Sequence, residues 1–276
     1  MKTWDAATIA ELLKKSGKIA LECKNEMAPE MKKDHSIVTR ADKAVEFFLG
    51  QKLTEGESDV YIIGEESIES CDLQNALKKT AFIIDPIDGT AVYAAGLPMW
   101  GISIGFSVAG VLQESAIYLP DTEDLMITDS GKTFLQCGDS SGLEELHPFE
   151  KEYTETGAVS ISQRIAKKGN FCGSELLQSI GSCVYPGVFM AKQIYMAGIF
   201  RAKIWDVAGF LPALKNLGFV SANKQGTDLM SLKISPECYD LDENSDHLLM
   251  MKCHNVIASS AMICDSVLSR SHFPEE

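Results

Sequence analysis

The run Phe82-Ile83-Ile84-Asp85-Pro86-Ile87-Asp88-Gly89-Thr90 constrains this chain more than any other stretch. Its three leading apolar residues fit a strand buried on both faces. Asp85 stands where that strand runs out. Pro86 has no N–H to give to a ladder, which predicts that the strand stops there. Asp88 and Gly89 are turn residues, and Gly89 allows a backbone to approach a ligand closely. Thr90 can cap the next segment, with its own N–H and that of Gly89 open to an anion. Two carboxylates and a pair of N–H donors at one strand end suit a metal and a phosphate together. An Asp-rich turn that caps a helix is the plainer alternative, and this stretch alone does not separate the two.

The pattern recurs. Val60 to Ile63 is strand-like and is followed by Gly64, Glu65 and Glu66. Adjacent like charges repel unless a cation or water separates them. A third strand-like stretch from Ile199 leads through Arg201, Ala202, Lys203 and Ile204 to Trp205-Asp206, ahead of a helix expected over Val207 to Leu217. Upstream, residues 4 to 28 read as an amphipathic helix with Ile9, Leu12, Leu13, Ile19 and Ala20 inward, closed by Pro29. Thr39 to Asp42 leads into a second helix, with Val45, Phe47, Phe48 and Leu49 expected inward. On its own, Asp42 reads as a first-turn acid favoured by the helix dipole.

Ile102 to Val108, Val111 to Leu119 and Leu125 to Thr128 read as a β-meander, with Ala109-Gly110 as a turn. Residues 129 to 157 hold many Gly, Ser, Glu and Pro. They place a boundary near residue 145 and divide the chain into 1–145 and 146–276. Beyond it, Val159 to Ile161 is a strand and Ser174 to Ile180 a helix or loop. A mostly apolar run comes next, over Val184 to Ala197. Val256 to Ser260 reads as a strand and Ala261 to Leu268 as a helix.

A chain of 276 residues, 45% apolar and 23% charged, can bury a large core. It has no charged-then-apolar leader and no apolar run long enough for a bilayer, so a cytoplasmic protein without a membrane partner is expected. The net charge of −14 argues against nucleic acid. An acidic protein that handles an anionic substrate needs bound cations, and clustered carboxylates would hold them. The eight cysteines are scattered without a Cys-x-x-Cys pair, which reads as reduced thiols. The five histidines show no ligand spacing.

Taken together, Gly64-Glu65-Glu66, Asp85-Pro86-Ile87-Asp88-Gly89-Thr90 and Trp205-Asp206-Val207-Ala208-Gly209 resemble the signatures of the inositol monophosphatase family. Val38-Thr39-Arg40-Ala41-Asp42 is similar to its upstream motif. All four come in the family's order and span most of the chain. The resemblance implies an α+β fold, a layered αβαβα sandwich of the inositol monophosphatase and fructose-1,6-bisphosphatase type. It also implies a homodimer and a Mg²⁺-dependent, lithium-sensitive phosphatase that uses two or three ions. By motif, Glu65, Asp85, Asp88 and Asp206 would be the metal carboxylates, with the carbonyl of Ile87 as a further ligand and Asp85 bridging two ions. Glu65 and Thr90 would hold and activate the attacking water, and Asp42 would orient Thr90. The N–H groups of Gly89 and Thr90 would take phosphate oxygens. A third, weaker ion would sit near Glu65, with a loop around residues 31 to 36 closing nearby. Such chemistry needs positioning and charge neutralisation rather than a catalytic His or Cys.

Several positions depart from the family pattern. Members that prefer inositol phosphates carry a glutamate where this chain has Ile199. Losing that acceptor weakens recognition of a polyol. Arg201 and Lys203 replace the usual approach to the Trp-Asp pair. They suit a second phosphate or carboxylate if they face the site, and are ordinary surface charges if they do not. Val92 and Tyr93 replace the usual Asn-Phe. Gly181-Ser182 keeps the small pair beside the substrate, but Tyr185-Pro186 after it is unusual. The expected reaction is hydrolysis of a small phosphomonoester such as inositol 1-phosphate. Fructose 1,6-bisphosphate and 3′-phosphoadenosine 5′-phosphate are the alternatives that Arg201 and Lys203 bring in. A regulatory or interaction protein with weak turnover is the rival of another class. It would have no reason to keep four mutually repelling carboxylates.

Overall fold

The computed structural model describes residues 3–24, 30–31, 37–140, 142–149 and 152–273. Helix α1 (Ala6–Cys23) starts on the Asp5 side chain, which accepts the Thr8 N–H. A short pair, β1 (Glu30–Met31) and β2 (Ile37–Val38), precedes α2 (Arg40–Thr54). Then come β3 (Val60–Gly64), the single turn α3 (Leu73–Ala76), β4 (Thr80–Asp88) and α4 (Thr90–Ala94). Strands β5 (Gly101–Val108), β6 (Val111–Leu119), β7 (Asp124–Asp129), β8 (Lys132–Gln136) and β9 (Glu144–Leu146) complete a seven-stranded sheet in sequence order from β3 to β9. Its β3–β4 pair is parallel and the later pairs are antiparallel.

The rest of the chain contains β10 (Ala158–Ser160), α5 (Gln163–Lys168), β11 (Asn170–Phe171), β12 (Leu176–Gln178) and α6 (Val184–Ala191). It continues through β13 (Tyr195–Phe200), α7 (Ile204–Ala208), α8 (Leu211–Asn216) and β14 (Val220–Ala222). It closes with β15 (Asn255–Ala258), α9 (Ala261–Arg270) and β16 (Ser271–His272). A five-stranded mixed sheet runs in the order β12-β10-β13-β15-β14, and β11 pairs with β16.

These elements stack as five layers, the αβαβα sandwich expected from the sequence. Alternation along β4 shows why. Phe82 and Ile84 join Leu13, Val45 and Leu49 beneath α1 and α2. Ile83 faces the other way and joins Val207 of α7, Leu214 of α8 and Ile257 of the smaller sheet. A third cluster puts Val159, Ile199 and Val256 against Ile165 of α5 and Ile263 of α9. Strands covered on both faces need continuous apolar runs, which β4 and β5 have. No helix among the described residues is long and apolar enough to cross a membrane.

The structure corrects several expectations. Strand β4 does not end at Pro86. Asp85 pairs with Ser103 and Asp88 with Gly101, so Pro86 and Ile87 oppose the single residue Ile102 in a β-bulge. The missing Pro86 N–H costs nothing there, because the bulge already interrupts the ladder. Phe47 is 67% exposed, and Glu46 takes the inward position instead, accepting the Glu66 N–H at 2.9 Å. The helix expected from Val207 to Leu217 is two, α7 and α8, with Pro212 near the start of the second. Residues 174 to 180 contain a strand, β12, where a helix or loop was expected, and 129 to 157 contribute β8 and β9. The loop expected to close near residues 31 to 36 lies almost wholly outside the described residues.

Candidate functional site

Two of the three strand-then-acid signals converge, and Glu65 is not in the triangle they form. Asp85 and Asp88 leave the two sides of the β4 bulge, and Asp206 sits in the first turn of α7. One carboxylate oxygen from each lies within 4.8 Å of the others. Asp85 also accepts the Ile87 N–H at 3.1 Å, so the side chain braces the bulge that aims it. Helix α7 reaches this strand because β5 carries Gly105. A Cβ there would stand 2.6 Å from the Ala208 Cβ. Ser103 of β5 donates its hydroxyl to the Trp205 carbonyl at 3.0 Å and fixes that approach. The Lys203 N–H donates to Asp206 at 2.7 Å.

Asp88 has a second duty. Its carboxylate accepts the N–H groups of Cys183, at 2.8 and 3.0 Å, and of Val184, at 2.9 Å, together with the Ser182 hydroxyl. It thus caps α6 from a strand 95 residues earlier in the chain, where a negative charge is favoured by the helix dipole. Gly89, at φ +89°, lets the backbone turn between β4 and α4. A Cβ there would press on Ser182 Cβ at 3.1 Å and Met99 O at 3.3 Å. The contact brings Gly181 and Ser182 beside Gly89.

Asp42, fully buried, accepts the Thr39 N–H at 2.8 Å and the Thr39 hydroxyl at 2.6 Å. Its other oxygen is 3.1 Å from the Thr90 hydroxyl, which also lies 3.0 Å from the Ile87 carbonyl. Thr39 fixes Asp42, and Thr-x-x-Asp before an apolar helix is a readable capping box. Glu65 follows β3, and its N–H donates to Ile84 O at 3.3 Å, extending the β3–β4 register toward Asp85.

Electrostatics express what this crowding costs. Burial, then the charges of Glu65, Asp88, Asp206 and Asp42, hold the Asp85 carboxyl well above the usual carboxylate range. Burial raises Asp88 against its hydrogen bonds to Ser182, Val184 and Cys183. Burial and Asp88 push Asp206 up to about 7. Burial also raises Asp42. The Cys183 thiol is held protonated by burial and by the three aspartates, so it is no nucleophile. A nest of hard oxygen donors whose ionised forms repel one another fits a cation such as Mg²⁺, and does not fit a metal that prefers sulfur or imidazole.

The remaining candidates are placed differently. Ile199 is buried with Val159, Met196 and Val256 on the α5 and α9 side of the smaller sheet. Its side chain belongs to the core, which removes it from the substrate-binding set. The Lys203 amine donates to the Leu248 carbonyl at 2.7 Å and lies 5.6 Å from the Trp205 ring centroid. Arg201 lines a cavity with Lys224 and Lys252.

Residues 2–257 match the profile of the inositol monophosphatase family. The chain is 32% identical to human inositol monophosphatase 1 over 239 residues, 81% of this chain and 85% of that protein. It is 30% identical to histidinol-phosphatase of Chlorobaculum parvum over 131 residues, 47% of this chain and 49% of that protein. The chain therefore spans about half the length of that relative. The solved structure of an IMPase/NADP phosphatase complexed with Mg²⁺ and phosphate superposes with a TM-score of 0.74 at 20% identity. That likeness covers 95% of this chain and 93% of the other, and it concerns the fold.

Proposed function

The chain belongs to the inositol monophosphatase family, and on that premise we propose that it is a Mg²⁺-dependent phosphoric monoester hydrolase acting on a small phosphorylated molecule. The observation that carries this reading is the triangle of Asp85, Asp88 and Asp206, drawn from both halves of the chain to within 4.8 Å. Glu65, Asp85, Asp88, Asp206 and the Ile87 carbonyl would hold the ions. When bound, Mg²⁺ would neutralise charge on the phosphate and lower the pKa of a coordinated water toward neutrality.

The chain's own residues do the rest. With Asp42 ionised, the Thr90 proton points to Asp42 at 3.1 Å or to the Ile87 carbonyl at 3.0 Å. Either way the Thr90 oxygen keeps a lone pair that can accept a hydrogen bond from a water. Thr39, giving two bonds to Asp42, holds the acceptor in place. Glu65 would take the proton of that water. The N–H groups of Gly89 and Thr90 receive phosphate oxygens, with Gly181 and Ser182 beside them.

Inositol 1-phosphate is the default substrate for the family. The names of the relatives also bring in histidinol phosphate and nucleotide phosphates. Ile199, which lacks a hydroxyl acceptor and faces the core, argues against strong polyol recognition. A second reading, a substrate with two anionic groups such as fructose 1,6-bisphosphate or 3′-phosphoadenosine 5′-phosphate, is favoured by the basic cavity at Arg201.

The test is phosphate release from inositol 1-phosphate, histidinol phosphate, fructose 1,6-bisphosphate, 3′-phosphoadenosine 5′-phosphate and glycerol 2-phosphate. Each is measured with Mg²⁺, with Mg²⁺ plus Li⁺, and with EDTA. Release that needs Mg²⁺, falls with Li⁺ and is lost in Glu65→Gln is the expected result. Release that survives EDTA or Glu65→Gln would overturn the assignment.

A further inference from the structure

A cavity of about 350 Å³ opens at one end of the five-stranded sheet. Arg201 follows β13, Lys224 follows β14, and Lys252 and His254 precede β15. Strands β13 and β14 end here, and antiparallel β15 begins here. Parallel β10 and β12 end on the same side. The carboxylate centre is reached from that side too, because Ser182 follows β12 and Asp206 follows β13. Along this end, the β12 and β13 connections serve the carboxylates, and the β13, β15 and β14 connections form the cavity. Four residues stand between Arg201 and Asp206, and the five chain steps bound their Cα separation at about 18 Å.

The cavity's chemistry opposes that of the chain around it. The protein carries a net charge of −14, yet among the described residues three cations line this space and no carboxylate does. Glu237 and Asp240, within electrostatic reach of Lys252, are not part of the lining. One wall is fixed. His254, 8% exposed, stacks on Phe273 with ring centroids 4.4 Å apart and planes 6° from parallel. Lys224 Nζ lies 5.4 Å from the same Phe273 ring. That cation–π contact holds one ammonium over a rigid platform. Lys203 is tied to Leu248 and Trp205.

We propose that this cavity is a second anion-binding subsite, built by Arg201, Lys224 and Lys252 on the His254–Phe273 stack, that receives a phosphate or carboxylate group. Two sources share that chemistry. One is the distal anionic group of the substrate, a deepening that rests on the phosphatase reading. The other is a free anion bound independently of turnover. Arg201 adds a guanidinium charge to the lining, and the two lysines supply adaptable point charges.

The test compares the wild type with the double variant Lys224→Gln/Lys252→Gln. Lys132→Gln, in the far sheet, is the control for lost charge. Titration with inorganic phosphate in EDTA, followed by calorimetry, keeps metal-held anions out of the signal. Saturable binding by wild type and control, weakened about tenfold or more in the double variant, is expected for two lost charge-assisted contacts. No binding by the wild type, or equal binding by the double variant, overturns the proposal. A second measurement compares kcat/KM with Mg²⁺ for fructose 1,6-bisphosphate and glycerol 2-phosphate. A fall confined to the bisphosphate assigns the subsite to the substrate's distal group. Equal values for both, with phosphate binding lost, assign it to a free anion. If no ester is hydrolysed, the phosphatase reading fails while the metal-free titration still decides the subsite.

Discussion

The carboxylate centre and the basic cavity share one end of the five-stranded sheet but are built by opposite means. The centre uses short side chains at strand and helix ends, buried at Asp85 and Asp88 and half-buried at Asp206, held by backbone N–H groups at Ile87, Cys183, Val184 and Lys203. The cavity uses long side chains from loops, with Lys224 and Lys252 exposed and one stacked pair of rings as its fixed wall. A short buried acid has few rotamers to lose and is located to within a hydrogen bond. A long exposed cation adapts to its partner but costs more entropy to order. The first construction suits chemistry, which fails when a group is displaced by about 1 Å. The second suits recognition, where a lost contact lowers affinity without stopping the reaction.

The largest effect should therefore come from Asp85→Asn. We expect phosphate release to fall by about 10³-fold, the scale of losing one strong electrostatic contact in a dry site. The same variant should raise the Tm of EDTA-treated protein. It removes a carboxyl whose ionised form is disfavoured by burial and by Glu65, Asp88 and Asp206, and its amide oxygen can still accept the Ile87 N–H. A basic-cavity variant that cost more turnover than Asp85→Asn would break the contrast between the two regions.

Thr90→Val tests the inner edge of the centre. It removes a hydroxyl that touches Asp42 and Ile87 but keeps nearly the same volume. We expect kcat to fall by about 10²-fold, as for a lost general acid–base partner, with the Mg²⁺ concentration for half activation little changed. A shift in Mg²⁺ dependence with unchanged kcat would move Thr90 from water positioning to ion binding.

Legibility in the sequence follows the same division. The gathered Asp85, Asp88 and Asp206 can be read because they follow local strand signals, and local signals survive without the fold. The cap that Asp88 places on α6 cannot be read, because Cys183 and Val184 lie 95 and 96 residues away. The bulge at Pro86 escapes the sequence because proline stops a ladder but not an extended chain. Phe47 looks like core because it is an aromatic residue beside Val45 and Phe48. The buried stripe of α2 instead runs through Asp42, Val45, Glu46, Leu49 and Leu53. Glu46 can enter that stripe because Glu66 supplies an N–H. The basic cavity leaves no motif. Arg201, Lys224 and Lys252 are spread over about fifty residues and meet only because three strands reach the same end of the sheet.

Protonation gives a smaller, pH-dependent contrast. Asp206 is raised from 3.8 to about 7 by burial and by Asp88, so the native metal-free protein keeps a proton that the unfolded chain has released. The stabilising contribution is complete below the unfolded value and is lost as pH rises through the folded one. The Tm of EDTA-treated protein should fall between about pH 4 and about pH 7. The fall should be shallower in Asp206→Asn. Added Mg²⁺ should restore more stability at the upper end, because it no longer displaces protons. A metal-free Tm with the same pH profile in wild type and Asp206→Asn would show that this carboxyl is not strained.

The smallest effect sharpens the boundary between the two regions. Lys203 lies between them in sequence; its backbone N–H donates to Asp206 at 2.7 Å, and its charge opposes the rise of the Asp206 pKa. Its amine is tied to Leu248 O and the Trp205 ring. Lys203→Met keeps the N–H and the length of the side chain while deleting the charge. We expect a loss of about 1 kcal/mol in unfolding free energy, the scale of one hydrogen bond. The ratio of kcat/KM for fructose 1,6-bisphosphate to that for glycerol 2-phosphate should stay as in the wild type. If that ratio drops while stability holds, the amine leaves Leu248 to meet the substrate. The boundary between rigid chemistry and adaptable recognition would then fall at residue 203, not at residue 201.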